Sequence, residues 1–140
     1  VNAESLPEVC DLLRTYVSDY WRTHYTFAST SSAENDKNLS VSSLNLIVIN
    51  SVVPILFAYG RYKSEEHLCE KAIRFLESLR PESNHIIRSW DSAGIKCESA
   101  ADSQALIQLT RNYCEPHDCL RCRFGGEFIR RTPDLLREEE

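Results

Sequence analysis

Apolar and polar residues alternate along most of the chain with a spacing of three to four, which is the pattern of amphipathic helices. The first such segment opens at Ser5, because Ser5 and Glu8 have capping-box spacing and Pro7 fits a first helical turn. The pattern predicts one helix that ends near His24 or Tyr25. Its apolar positions are Leu6, Val9, Leu13, Tyr16, Val17, Tyr20 and Trp21.

A long polar loop and a long apolar segment follow. Residues 27–43 are rich in Ser, Asn and Asp and have no periodicity, which predicts a loop of a length that is often functional or disordered. Ser43 to Tyr59 is apolar nearly all round, which indicates a buried helix. Pro54 removes the hydrogen bond to the carbonyl of Asn50, so a kink is expected there. Gly60 is a natural stop signal.

Three further helices are predicted. Ser64 starts one that ends at Pro81, a short one covers residues 84–93, and Ser99 with Asp102 opens the last in the manner of a capping box. Their predicted buried positions are Leu68, Ala72, Phe75, Leu76 and Leu79, then Ile86, Ile87 and Trp90, and then Ala105, Leu106, Leu109 and Tyr113. No pair of segments carries hairpin signals. We therefore predict an all-α fold, a compact irregular bundle of five to six helices with a cysteine-containing C-terminal turn.

Composition narrows the class of protein. A chain of 140 residues is expected to form a single helical domain, residues 1–140. The net charge of −5 argues against a generally basic nucleic-acid-binding surface. The longest apolar stretch, from Leu44 to Ala58, is shorter than the roughly 20 residues of a spanning helix and contains polar residues, so no membrane association is expected. Without a Met or a basic leader, we expect a cytoplasmic domain excised from a longer protein.

The strongest chemical signal is a cysteine cluster. Cys114, Cys119 and Cys122 have Cys-x4-Cys-x2-Cys spacing, which suits a zinc site whose fourth ligand would be His117 or Cys97. The same spacing occurs in plant-type iron–sulfur proteins. Buried thiols, or a disulfide from Cys114 to one of the other two, fit the pattern as well. A catalytic thiol would need His117 as its base.

Three other groups of residues are candidates for function. Trp21, His24 and Tyr25 place a histidine among aromatic rings at a helix end, where it is typically a cap or a core residue. Glu82 and His85 have the Glu-x-x-His spacing of carboxylate-bridged metal sites, although capping explains a single copy better. The last group is basic and offers contacts to nucleic acid or a partner, with Phe124 and Phe128 interleaved; it comprises Arg121, Arg123, Arg130 and Arg131.

Several phrases together resemble a known family. They are Tyr20-Trp21-x-x-His24-Tyr25, the run from Ile49 to Gly60, Glu82-x-Asn84-x-Ile86-Ile87, the run from Asp102 to Leu109, and Tyr113-Cys114-x4-Cys119-Leu120-x-Cys122. In this order they are similar to the C-terminal region of a bacterial family, domain of unknown function 2851. The resemblance implies an upstream half with a nuclease-like core, of which this chain would be the helical accessory domain. It covers all three clustered cysteines, whereas His117 falls on a variable position.

Two main hypotheses follow for the function. The first is a non-enzymatic helical accessory or interaction domain, which contacts its own nuclease-like partner domain or nucleic acid and should show an exposed apolar patch. The second is a zinc- or thiol-dependent enzyme centred on Cys114, Cys119 and Cys122, which should show a cleft with a thiolate of lowered pKa. In a third interpretation the cysteine turn only stabilises the fold.

Overall fold

The computed structural model describes residues 3–29, 33–34 and 37–135, with the backbone alone for Ile129 and residues 131–135, and the regular structure within these ranges is helical. Within these ranges there is no strand, so the all-α prediction is confirmed. The helices are α1 (Leu6–Leu13), α2 (Asp19–Thr23), α3 (Val41–Ile47), α4 (Val53–Lys63), α5 (Glu66–Ser78), α6 (His85–Ser92), α7 (Ala100–Leu109) and α8 (Arg123–Leu135). Two π-helical turns, Val48–Val52 and Thr110–Cys114, continue α3 and α7.

The chain divides into two compact units, Val1–Leu79 and Arg80–Glu140. In the first unit α4 packs along α5, and the buried side chains come from α1, α3, α4, α5 and the π turn between α3 and α4. They are Val9, Leu44, Val48, Ile49, Val53, Leu68, Cys69, Ala72, Phe75 and Leu79. The predicted buried face of α5 is therefore confirmed at Leu68, Ala72, Phe75 and Leu79.

The predicted first helix is two helices. α1 ends at Leu13, and α2 begins only at Asp19. Tyr16 is largely exposed and Val17 donates its N–H to Asn38 Oδ1 at 3.0 Å, so these residues do not continue an apolar helical face. The prediction of one continuous helix from Leu6 to Trp21 is wrong because residues 14–18 are mostly exposed, and helical structure in proteins depends largely on packing.

The apolar segment forms a continuous helical stretch of 23 residues, Val41–Lys63. It passes Pro54 without a break, because the π turn Val48–Val52 precedes α4 and leaves Pro54 in its first turn, where the missing N–H is tolerated. Gly60 does not end the helix as predicted. It is buried against α5, and the helix ends at Lys63, followed by Ser64 as the C-cap in a left-handed conformation with φ 59°.

The prediction that this segment is buried is wrong. Only 22% of its most apolar window is buried. By length and composition alone, the stretch is long enough and apolar enough to cross a membrane, a test that core helices of soluble proteins also pass.

The second unit contains two helix caps, of which the capping box on α7 was predicted from the sequence. Asn84 caps α6 by accepting the N–H of Ile87 at 3.0 Å, and Ser99 with Asp102 forms a complete capping box on α7. The predicted buried face of α7 is wrong, because Ala105 is exposed and Leu106, Leu109 and Tyr113 are half-buried. The buried positions are instead Ala100, Ser103 and Ile107. Ser103 is tolerated there because its hydroxyl donates to the Ala100 carbonyl and accepts the Glu82 N–H.

Candidate functional site

The cysteine turn connects the π turn Thr110–Cys114 to α8. The N–H of Asp118 bonds the Tyr113 carbonyl at 2.8 Å, and the N–H of Cys122 bonds the Asp118 carbonyl at 3.1 Å. His117 lies within the segment closed by the first of these bonds and has φ 57°, a left-handed conformation that reverses the chain. Gly125 packs on this turn so closely that a Cβ there would lie 2.6 Å from the carbonyl oxygen of Cys119.

The turn does not present the predicted zinc site. Cys114 and Cys119 are exposed, Cys122 is buried, and all three are free thiols. No group of three or more His, Cys, Asp and Glu side chains among the described residues could hold a metal ion. Cys97 is not drawn into the turn as a fourth ligand: the pKa of its thiol is raised by loss of solvent and then by the carboxylates of Asp102 and Asp91. Zinc and iron–sulfur binding are therefore unsupported.

The catalytic-thiol hypothesis also lacks support. The pKa of the Cys114 thiol is raised, first by loss of solvent around its sulfur and then by the neighbouring Cys122 and Cys119 thiols and the Glu115 carboxylate. A raised pKa keeps the thiol protonated at neutral pH, whereas a nucleophilic cysteine needs the thiolate. The thiols thus lie close enough together to influence one another, but they do so in the direction that opposes catalysis.

The predicted aromatic candidates do form a cluster. The rings of Tyr20 and His24 stack at 4.1 Å with an interplanar angle of 8°, and Trp21 meets Tyr20 edge-on at 5.0 Å. His24 Nδ1 lies 2.9 Å from the Tyr20 carbonyl, so that nitrogen carries the proton and donates. Tyr25 lies beneath the ammonium of Lys37, 3.5 Å from the ring centroid. These contacts explain the cluster as a stabilised helix end, as the capping interpretation predicts.

Arg121, Arg123 and Arg130 of the predicted basic group are exposed. Arg121 pairs with Asp118 at 3.2 Å, while Arg123 is the first residue of α8. Arg130 is exposed, and the side chain of Arg131 lies outside the described residues. A contact of these arginines with nucleic acid or a partner remains a prediction.

Sequence reasoning missed a surface on α4, because it assigned the whole segment to the core. Ile55, Tyr59 and Tyr62 are exposed by 68%, 39% and 81%, and they follow one another at helical spacings of four and three. They lie opposite Val53 and Gly60, which are buried. Lys63 lies at the end of the stripe, 5.9 Å and 5.6 Å from the centroids of the two tyrosine rings. We call Ile55, Tyr59 and Tyr62 the α4 stripe. No local signal marked this surface, because Val41 to Lys63 has the composition of a core helix.

Comparison with known proteins gives a family and no function. No curated protein matches this chain, and no solved structure matches it. A family model described as protein of unknown function (DUF2851) matches residues 1–85. The matched region includes the aromatic cluster and the α4 stripe, whereas the cysteine turn lies outside it. Because the match covers more than half of the chain, the protein belongs to the DUF2851 family.

Proposed function

We propose that this chain is a non-catalytic helical interaction domain that binds its partner through the α4 stripe. The observation that carries this proposal is the exposure of Ile55, Tyr59 and Tyr62 on one side of a helix that is packed on the other. Apolar side chains at positions i, i+4 and i+7 are the anchors by which an amphipathic helix binds a hydrophobic groove.

The energetics favour such a role. Complete burial of a large apolar side chain contributes about 1.5–3 kcal/mol, and tyrosine is among the residues that dominate binding at interfaces. The stripe lies on a helix fixed by its contacts with α5, so binding does not require a helix to fold first. Its only charged neighbours on α4 are Arg61 and Lys63, and the stripe itself contains no histidine, carboxylate or thiol. This chemistry supports binding rather than catalysis.

The partner that we propose is the upstream, nuclease-like half that the family resemblance implies, acting in the cytoplasm. An intramolecular partner needs only a modest intrinsic affinity, because the linker supplies a high effective concentration. The cations beside the stripe, Arg61 and Lys63, would favour a groove with an acidic rim.

The test uses two matched variants. Tyr62→Ser removes an exposed ring from the α4 stripe, and Phe124→Ser removes one of similar exposure, 72%, from α8. Binding to a separately produced upstream half from a longer family member is measured by isothermal titration calorimetry. We expect Tyr62→Ser to weaken binding by about tenfold or more, and Phe124→Ser to leave it unchanged. Equal effects of both variants, or no binding by the unaltered chain, would contradict the proposal.

A lipid surface is the competing occupant, because Val41–Lys63 passes the length and composition test for a membrane helix. Flotation with phosphatidylcholine vesicles distinguishes the two. If the unaltered chain floats with the vesicles and Tyr62→Ser does not, the α4 stripe binds a membrane rather than a protein partner. We expect the chain to stay in the unfloated fraction.

A further inference from the structure

A cleft in the second unit has features that the proposed function does not use. It lies between α6 and the π turn Thr110–Cys114, and its volume is about 270 Å³. This is just below the range of about 300–1,000 Å³ that is typical of ligand pockets, so only a small ligand would fit. The buried Ile86 and the half-buried Trp90 supply its apolar wall. The polar lining residues are His85, Ser89, Thr110, Cys114 and Glu115.

The π turn decides which side chains line this cleft. The N–H of Glu115 bonds the carbonyl of Thr110 at 2.8 Å, five residues back. In an α-helix a residue five positions on would point about 140° away from Thr110. With the wider π turn the angle falls to about 50°, so Glu115 joins Thr110 and Cys114 on the same side. Single π turns are rare and occur frequently at functional sites.

Most hydrogen-bond donors of the cleft are already used. Trp90 Nε1 donates to Thr110 Oγ1 at 2.8 Å, and the Thr110 hydroxyl donates in turn to the Leu106 carbonyl at 2.8 Å. The Ser89 hydroxyl donates to the His85 carbonyl at 3.0 Å. A ligand therefore meets an indole whose N–H is already used, oxygen lone pairs and a thiol. The imidazole of His85 is the remaining strong donor, because a neutral histidine has one N–H.

The charge of the cleft is negative. No lysine or arginine is among the described residues that line it, and Glu115 makes no ion pair with any described side chain. The pKa of the Cys114 thiol is raised by loss of solvent, then by Cys122 and Cys119, and last by the Glu115 carboxylate. An indole and a carboxylate that line the same cleft form a combination that attracts an organic cation.

We propose that this cleft binds a small organic ammonium ion, with the cationic head between the indole of Trp90 and the carboxylate of Glu115. The indole supplies cation–π attraction, and the carboxylate supplies the opposite charge. Because the hydroxyls of Ser89 and Thr110 donate elsewhere, a neutral ligand of the same shape finds few donors for its own acceptors. The cleft should therefore bind an organic cation more tightly than a neutral molecule of the same shape.

The experiment compares choline with 3,3-dimethyl-1-butanol, its neutral isostere. The reporter is the indole N–H resonance of Trp90 in ¹⁵N-labelled full chain, assigned by comparison with a Trp21→Phe variant. We expect choline to shift this resonance saturably at millimolar concentration, and the neutral alcohol to leave it in place. Equal shifts by both compounds, or no shift by choline, would overturn the proposal.

The carboxylate is tested with a matched pair of variants. Glu115→Gln should weaken choline binding by about tenfold, whereas Glu98→Gln, an exposed acid of the same unit outside the cleft, should leave it unchanged. Both positions are exposed, so neither change should unfold the chain. An unchanged affinity in Glu115→Gln would remove Glu115 from the site and overturn the proposed mode of binding.

Discussion

Gly60 of α4 lies directly against Cys69 of α5. A Cβ at Gly60 would lie 2.9 Å from the Cys69 sulfur and 3.1 Å from its backbone nitrogen. The two helices therefore approach each other at the one position of this contact that has no side chain. The same contact holds α4 against α5, and the α4 stripe lies on the opposite side of α4.

Gly60→Ala is expected to destabilise the first unit. The added methyl group meets a buried sulfur and the α5 backbone, and such overpacking costs about 1–3 kcal/mol, more than the helix-propensity gain of up to about 1 kcal/mol. Urea unfolding followed by circular dichroism measures the change. Gly126→Ala is the control, because its nearest neighbour would be 3.8 Å away, and it should be neutral or stabilising. A stabilised Gly60→Ala protein would show that the helices are not closely packed.

The α7 capping box should make stability depend on acid pH. Hydrogen bonds from the Glu98 and Ser99 N–H groups, and from the Ser99 hydroxyl, lower the pKa of Asp102. Because the folded pKa lies below the unfolded value of about 4, the stabilisation is complete above that pH and is lost as the pH falls through the folded pKa.

Asp102→Asn should therefore flatten the decline of the free energy of unfolding between about pH 5 and pH 2. Urea titrations at a series of pH values provide the measurement, with Glu98→Gln as the control substitution. An unchanged slope in Asp102→Asn would mean that the carboxylate makes no net contribution to the cap.

The Trp90–Thr110 hydrogen bond is expected to stabilise the second unit. Thr110→Val preserves the shape of the side chain but removes the acceptor of the indole N–H, which is partly buried. Leaving such a donor unsatisfied costs about 1–3 kcal/mol. Thermal unfolding measures the loss, and the indole N–H resonance should move as its hydrogen bond disappears. Wild-type stability with an unchanged resonance would contradict the assigned bond.

Cys114 should react slowly with alkylating agents at neutral pH. Its raised pKa reduces the thiolate fraction, so its rate of modification by iodoacetamide should continue to rise above pH 9. Peptide mass spectrometry at successive pH values follows this residue specifically. A plateau below pH 8 would revive the hypothesis of a catalytic thiol.

Stoichiometric zinc is not expected on the purified chain. The described residues contain no group arranged to hold a metal ion, although Cys114, Cys119 and Cys122 have suitable spacing. Plasma mass spectrometry of protein prepared without chelators tests this directly. Bound zinc that is lost in Cys119→Ser would show that the turn rearranges on binding metal.

The amino-acid sequence alone determined the helical class and several helix boundaries. The capping box of Ser99 with Asp102 and the apolar face from Leu68 to Leu79 were readable because each depends on the spacing of residues along a single helix. The resemblance to the family was likewise readable from short phrases, and the family match confirms it over residues 1–85.

The tertiary structure decided which apolar surfaces are buried and which chemical groups meet. The segment around Ile55 and Tyr62 has the composition of a core helix, yet only its side against α5 is covered. Glu115 enters the cleft only through a π turn, and Gly60 is a packing position rather than a stop. Burial and backbone register depend on neighbours distant along the chain, and a local pattern of residues does not contain that information.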